Sequence, residues 1–281
     1  MTMQQRLFGA SGLMLPVIGL GTWEMEYDED PAPAIHRAIE LGMTHIDTAE
    51  MYGNGRVETL LGKALSGRRS EVFLTSKVQP FNASVSGTIQ ACETSLKALG
   101  TDYLDLYLLH WPGQFPVEET LSAFARLQAD GKIAAYGVSN FDADQLREVV
   151  SAAGAGNIAC NQVLYHPGER AFEHQLLGTS QELGVPIVAY SPFGHDEMLP
   201  SNSPGGRVMA EIAAERQVSI HQVALRFVVR YPHVFTIPKS SKRAHIEDNA
   251  AAGEWSLTAA EVARLEHACP PPSSGPGMPM L

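Results

Sequence analysis

VFLTSK (72–77), YLDLYLLH (103–110) and AAYGVSN (134–140) are short apolar runs that each finish on a polar or ionisable residue. They have the length of a buried strand and its richness in Val, Leu and Tyr. Five more stretches share the form: PVIGLG (16–21), THIDTA (44–49), IACNQ (158–162), PIVAYS (186–191) and VFTIPKS (234–240). Helix-length segments separate them. PAPAIHRAIELG (31–42) opens on prolines and closes at Gly42, as helices often do. Residues 84–99 place Ile89, Cys92, Leu96 and Leu99 at intervals of three and four, giving one apolar face. Asp142 with Gln145, Ser219 with Gln222 and Thr258 with Glu261 fit the capping box, in which side chains satisfy free amides at a helix start.

Eight strands, each followed by a helix, over ~250 residues predict a closed (β/α)8 TIM barrel. The rival is an open doubly wound sheet, which carries G-x-G-x-x-G after its first strand. Here Gly19-Leu-Gly21 runs into Thr22, Trp23 and Glu24, so the third glycine is missing. Residues 5–15, with Gly-Ala-Ser-Gly between apolar flanks, predict a small N-terminal hairpin. The Pro-, Gly- and Ser-rich stretch 269–281 predicts a short extended or mobile tail. A single domain over 1–281 is expected.

Of 281 residues, 44% are hydrophobic and 18% charged, which suits a large core and not a disordered chain. A formal net charge of −11 repels nucleic acid and anionic membranes. Cys92, Cys160 and Cys269 form no CxxC and read as free buried thiols in a reducing compartment. The N-terminus lacks a signal pattern, and no run approaches the ~20 apolar residues of a membrane span. A cytoplasmic monomer is expected.

Chemistry in such a barrel gathers at the C-terminal ends of the strands. Those ends carry Asp47 with Tyr52 just beyond, Lys77, His110-Trp111, Ser139-Asn140, Asn161-Gln162, Tyr190-Ser191 and Lys239-Ser240. Any one of these has an ordinary reading, because strand ends meet water; Lys77 could simply snorkel. Together they fit one reaction. Hydride addition to a carbonyl leaves an alkoxide that needs a proton. A free tyrosine, with a pKa of about 10, is a poor donor until a nearby ammonium favours its phenolate. A carboxylate keeps the lysine charged, and an imidazole can orient the carbonyl. Asp47, Tyr52, Lys77 and His110 supply those parts. No Tyr-x-x-x-Lys occurs, which excludes the short-chain dehydrogenases. The ten histidines include no His-x-His pair, and His45 is expected to face away from Asp47, so no metal is expected.

HIDTAEMYGN, LTSK, LYLLHW, GVSNF, NQVLYHP, AYSPF and IPKS occur in the order and spacing of the aldo-keto reductases, which the chain resembles from about residue 5 to 267. TIPKSSKRAHIEDNAA is similar to bacterial members that reduce methylglyoxal and other small aldehydes. The resemblance implies an NADP-dependent oxidoreductase that reduces aldehydes and ketones, with Tyr52 as general acid, Lys77 and Asp47 lowering its pKa, and His110 orienting the carbonyl. It implies that Ser139, Asn140 and Gln162 hold the nicotinamide carboxamide and that Tyr190 stacks on the ring. Gly21 and Thr22 would line the mouth, with Trp23, Phe81 and Trp111 walling the substrate pocket. Ser191 and Phe193 would follow the pyrophosphate, Lys239, Ser240 and Lys242 would reach the adenosine 2′-phosphate, and Asn249 the adenine. His245 stands where many members have an arginine, and a histidine is a pH-dependent partner.

Lys239, Lys242 and Arg243 crowd a helix start in an acidic chain, where the dipole does not favour cations. That cluster, with no acid in KSSKR, favours NADPH over NADH. The short tail implies an open, tolerant site. A slow cofactor-binding regulatory subunit is the alternative role, and the intact tetrad speaks against it.

Overall fold

The computed structural model describes residues 2–194, 198–271 and 279–280. Its first element is the expected hairpin, in which β1 (Gln5–Leu7) pairs antiparallel with β2 (Met14–Pro16). Arg6 of β1 donates to the carbonyls of Tyr231 and Val234. Phe8, fully buried, packs edge-on against His45, Phe73 and Phe235. The hairpin therefore plugs the end of the barrel at which the strands begin.

Eight parallel strands follow in sequence order: β3 (Leu20–Gly21), β4 (His45–Asp47), β5 (Phe73–Val78), β6 (Leu104–Leu109), β7 (Ile133–Ser139), β8 (Ile158–Leu164), β9 (Ile187–Tyr190) and β10 (Val234–Thr236). The first and last meet through parallel bridges, Ile18 with Thr236 and Gly21 with Lys239. The amides of Gly19 and Gly21 donate to the carbonyls of Thr236 and Pro238 across this seam. A Cβ on Gly21 would stand 2.6 Å from the Ile237 carbonyl oxygen, and one on Gly19 2.3 Å from that of His45. Gly21 thus serves close backbone approach at the closure, and Gly19 the approach of the chain to β4.

The outer layer holds α1 (Ala32–Glu40), α2 (Arg56–Ala64), α3 (Val85–Leu99), α4 (Val117–Ala129), α5 (Ala143–Ala153) and α6 (Ala171–Leu183). Two strands carry more than the one helix expected: α7 (Pro204–Arg216) and α8 (Ile220–Val228) follow β9, and α9 (Arg243–Ala251) and α10 (Ala259–Ala268) follow β10. Asp142 and Thr258 form full capping boxes. Ser219 forms half of one. Its hydroxyl accepts from the Gln222 amide, but the Gln222 side chain donates to Asp248 and accepts from Trp255 instead of returning to the cap.

His45 does not face away from Asp47. Residues two apart on a strand share a face, and both point into the barrel. His45 lies toward the plugged end, its Nε2 3.3 Å from Thr75 Oγ1. Cys92, Cys160 and Cys269 are free and buried. Most of the tail expected at 269–281 lies outside the described residues. Among the described residues, no helix is long and apolar enough to cross a membrane.

A buried ion network ties the later elements together. Glu173 on α6 meets Arg170 at 2.5 Å and Arg230 at 2.8 Å, and it accepts from the hydroxyls of Tyr165 and Tyr231. Arg170 also donates to the carbonyl of Cys269, just past α10. Burial alone would raise the Glu173 pKa, but the hydrogen bond from Arg170, the charge of Arg230 and the Tyr165 hydroxyl hold it down to about 2. Glu173→Gln removes the carboxylate between the buried Arg170 and Arg230, leaving Arg230 its longer contact with Glu266 at 3.4 Å, and should cost about 3–5 kcal/mol, seen as a lower urea midpoint. Because the folded pKa lies below the ordinary 4.5, this carboxylate stabilises fully above that value and loses its effect as pH falls toward 2. The Gln variant should therefore lose less stability than the native chain through that window. An unchanged midpoint would contradict the network's role.

Candidate active site

The pairing register puts the end of β4 beside the middle of β5, with Asp47 opposite Thr75. Lys77 follows two residues later on the same inward face. Its Nζ donates to Asp47 Oδ1 at 2.5 Å, the Thr48 carbonyl at 2.8 Å and the Tyr52 hydroxyl at 3.2 Å. An ammonium has three donors, and here each has an acceptor. The amine is fully buried and the carboxylate side chain 2% exposed. Asp47 Oδ2 accepts from Gln162 Nε2 at 2.8 Å, a bond that crosses the barrel from β8 to β4.

Tyr52 sits in the loop after β4. Gly53, Asn54 and Gly55 follow it with φ of 55°, 52° and 81°. This left-handed run turns the chain into α2 while the phenol stays pointed inward. Burial pushes the phenol pKa up; the charge of Lys77 pulls it back, and the net direction is upward. The expectation that Lys77 lowers this pKa is right for its own contribution, but burial outweighs it. For Lys77, burial disfavours the charge, yet Asp47 and the phenol oxygen outweigh burial and raise its pKa, so it stays an ammonium.

His110 follows β6, its ring 6.0 Å from that of Tyr52. Burial first, then the charge of Lys77, hold it well below its ordinary pKa, so it is neutral. Its Nδ1 is buried without a hydrogen-bond partner. Trp23 stands edge-on to Tyr52 at 5.0 Å, and Phe81 edge-on to Trp111 at 6.4 Å. Beside Tyr52 lies a cavity of about 270 Å³ whose walls include Trp23, Glu24, Glu26 and Met51.

A second set of polar groups continues from this tetrad. Ser139 Oγ donates to the Gln162 carbonyl at 2.9 Å. Asn140 Nδ2 donates to the His110 carbonyl at 3.1 Å and to Ser139 Oγ at 3.2 Å. Tyr190 donates to Asn140 Oδ1 at 2.9 Å. Asn140 and Ser191 both hold positive φ, 62° and 49°, the kind of strained backbone that collects at functional sites. A hydroxyl and two amides at one mouth suit a primary carboxamide, which both donates and accepts.

Gly21 and Thr22 are buried at the seam, and Thr22 Oγ1 donates to the Asp47 carbonyl at 2.9 Å. Beyond β10, Lys239 reaches Asp28 at 3.3 Å. Ser240 Oγ accepts from the Lys242 amide at 3.2 Å, just before α9. Lys242, Arg243 and His245 are exposed at the start of α9, Arg243 pairs with Glu247 at 3.0 Å, and Asn249 is buried. Phe193 packs edge-on against His221 at 5.0 Å.

Four participants escape sequence reading. The Thr48 carbonyl leaves no trace in a sequence. Glu50 accepts from the Gln79 amide at 2.6 Å and from Asn82 at 3.0 Å, bracing the loop that carries Phe81. Glu58 is buried on α2 and accepts from Ser76, the neighbour of Lys77, at 2.6 Å. Asp28 belongs to the acidic run EYDED (26–30), its only sequence signal.

A (β/α)8 barrel with Asp, Tyr, Lys and His gathered at its C-terminal mouth defines a class of oxidoreductase. The chain belongs to the Aldo/keto reductase family, whose sequence pattern matches residues 17–269. It is 44% identical to the methylglyoxal reductase YeaE of Escherichia coli, covering 99% of this chain and 100% of that protein. It is 34% identical to the glyoxal reductase of Bacillus subtilis, over 91% and 90% of the two chains. The crystal structure of an aldo-keto reductase from Klebsiella pneumoniae in complex with NADPH superposes with a TM-score of 0.92 at 37% identity, covering 100% of both chains.

The neutral state of His110 is directly measurable. Its imidazole NMR titration should have a midpoint well below 6.5, and Lys77→Met should move it upward by removing a nearby positive charge. A midpoint at or above 6.5 would contradict the site's electrostatics.

Proposed function

We propose that the protein is an NADPH-dependent reductase of small aldehydes and dicarbonyls, methylglyoxal among them, with Tyr52 as its general acid. The observation that carries this reading is the Lys77 amine 3.2 Å from the Tyr52 hydroxyl and 2.5 Å from Asp47. When bound, the dihydronicotinamide supplies hydride to the carbonyl carbon. Tyr52 gives its proton to the carbonyl oxygen as negative charge develops there. Burial keeps the phenol protonated before the reaction, so the proton is available. Lys77 lowers the cost of the phenolate left behind, and Asp47 holds Lys77 charged and in place. Neutral His110 donates an N–H to the carbonyl oxygen and fixes the carbonyl's orientation.

Ser139, Asn140 and Gln162 would hold the carboxamide, with the Tyr190 ring stacked beneath. Ser191 and Phe193 would flank the pyrophosphate; Lys239, Ser240 and Lys242 would take the 2′-phosphate, with His245 and Asn249 toward the adenine. The chemistry of these donors supports the fit: amides and a hydroxyl where a carboxamide would sit, and cations where a chain of net charge −11 must offset phosphate. The methylglyoxal and glyoxal reductase relatives and the NADPH-bound neighbour support the same substrate class and cofactor. Trp23, Phe81 and Trp111 would wall a pocket open to varied small carbonyls. The protein would act as a cytoplasmic monomer.

Tyr52→Phe should reduce kcat for methylglyoxal by about 10²–10⁴-fold while leaving NADPH titration unchanged, followed as loss of NADPH absorbance. A variant within tenfold of the native rate would remove Tyr52 from the role of acid. NADPH should also bind more tightly than NADH; the reverse order would overturn the cofactor assignment.

A further inference from the structure

Lys239 stands at the barrel seam, where its backbone bridges to Gly21. Its amine is already engaged by Asp28, 3.3 Å away, with side chains 34% and 28% exposed. Asp28 closes the short 3-10 turn Met25–Tyr27, its amide donating to the Met25 carbonyl at 3.2 Å. The pair therefore joins the loop after the first barrel strand to the end of the last one. Asp28 Oδ2 is buried yet makes no well-formed hydrogen bond. It meets Lys239 as a charge pair at 3.3 Å without a formed hydrogen bond. The surrounding loop carries Glu24, Glu26, Asp28, Glu29 and Asp30 and no base between them.

We propose that Asp28 is an internal competitor for Lys239 that weakens the binding of phosphate-bearing cofactor. This inference rests on the reading of Lys239 as a phosphate contact. A phosphate approaching Lys239 must displace the carboxylate or share the ammonium with it. Either way, two like charges are brought together in a half-buried site, where screening by water is incomplete. Asp28 thus sets the affinity below what the cation cluster alone would give, and it favours release of the oxidised cofactor after each turnover. It is a residue that tunes binding, outside the reacting groups.

The test is NADP+ affinity, read by quenching of tryptophan fluorescence in the native chain, Asp28→Asn, Asp28→Ala, Lys239→Met and the Asp28→Asn/Lys239→Met double variant. Both Asp28 variants should tighten NADP+ by about threefold to tenfold, and the gain should vanish when Lys239 is also removed. Lys239→Met alone should weaken NADP+. If it weakens NADP+ but neither Asp28 variant tightens it, this inference fails and the cofactor reading stands. Equal tightening with and without Lys239 also overturns it, because Asp28 would then act only as general charge. If Lys239→Met binds NADP+ as tightly as the native chain, the reading of Lys239 fails, and the competitor role goes with it.

Discussion

A charged amine enclosed within a barrel is the constraint around which the mouth of this protein is arranged. Moving an ammonium out of water costs several kcal/mol even after relaxation, and Lys77 has no exposed surface. Asp47, the Thr48 carbonyl and the Tyr52 hydroxyl take its three hydrogens, while Gln162 takes the carboxylate's other oxygen. Without that closed set the lysine would lose its proton or the strands would not pack. The same charge, together with burial, keeps His110 neutral. Burial is the larger influence on both neighbours, and the Lys77 charge acts on each beside it, easing the phenolate and disfavouring the imidazolium.

The barrel makes this arrangement rigid. Asp47 and Lys77 lie on adjacent strands, and Gln162 reaches Asp47 from the other side of the barrel. Ser139 and Asn140 join the chain of hydrogen bonds from β7 and its end, and Tyr190 from β9. From β4 to β9 each strand or its end contributes one or two groups, and none could hold its position if the sheet were open. Closure depends in turn on Gly21, which lets the first and last strands of the barrel meet at the seam. The route from sequence to chemistry therefore passes through a glycine outside the tetrad.

The strands and the tetrad could be read from the chain because strand ends deliver side chains to one mouth by simple periodicity. Asp47, Lys77, His110 and Asn140 each follow an apolar run, and the register does the rest. Pair partners were less legible. Nothing in the sequence marks the bond from the Gln162 amide to Asp47. Gln222, read as half of a capping box, is drawn to Asp248 and Trp255, where tertiary partners outweigh the local motif. His45 and Asp47, two apart on β4, share the inward face, against the expectation that they point to opposite sides. Glu173 finds Arg230 57 residues away and Asp28 finds Lys239 211 residues away, and no local pattern marks such choices. Backbone acceptors such as the Thr48 carbonyl leave nothing in a sequence to read.

The most direct measurement is the ionisation of Tyr52 itself, followed by NMR of ring-labelled tyrosine and assigned by comparison with Tyr52→Phe. The phenol should ionise above its ordinary pKa in the native protein, because burial exceeds the pull of Lys77, and Lys77→Met should move it higher still. A phenol whose ionisation is unmoved or made easier by loss of that amine would show that the buried ion pair does not govern the acid.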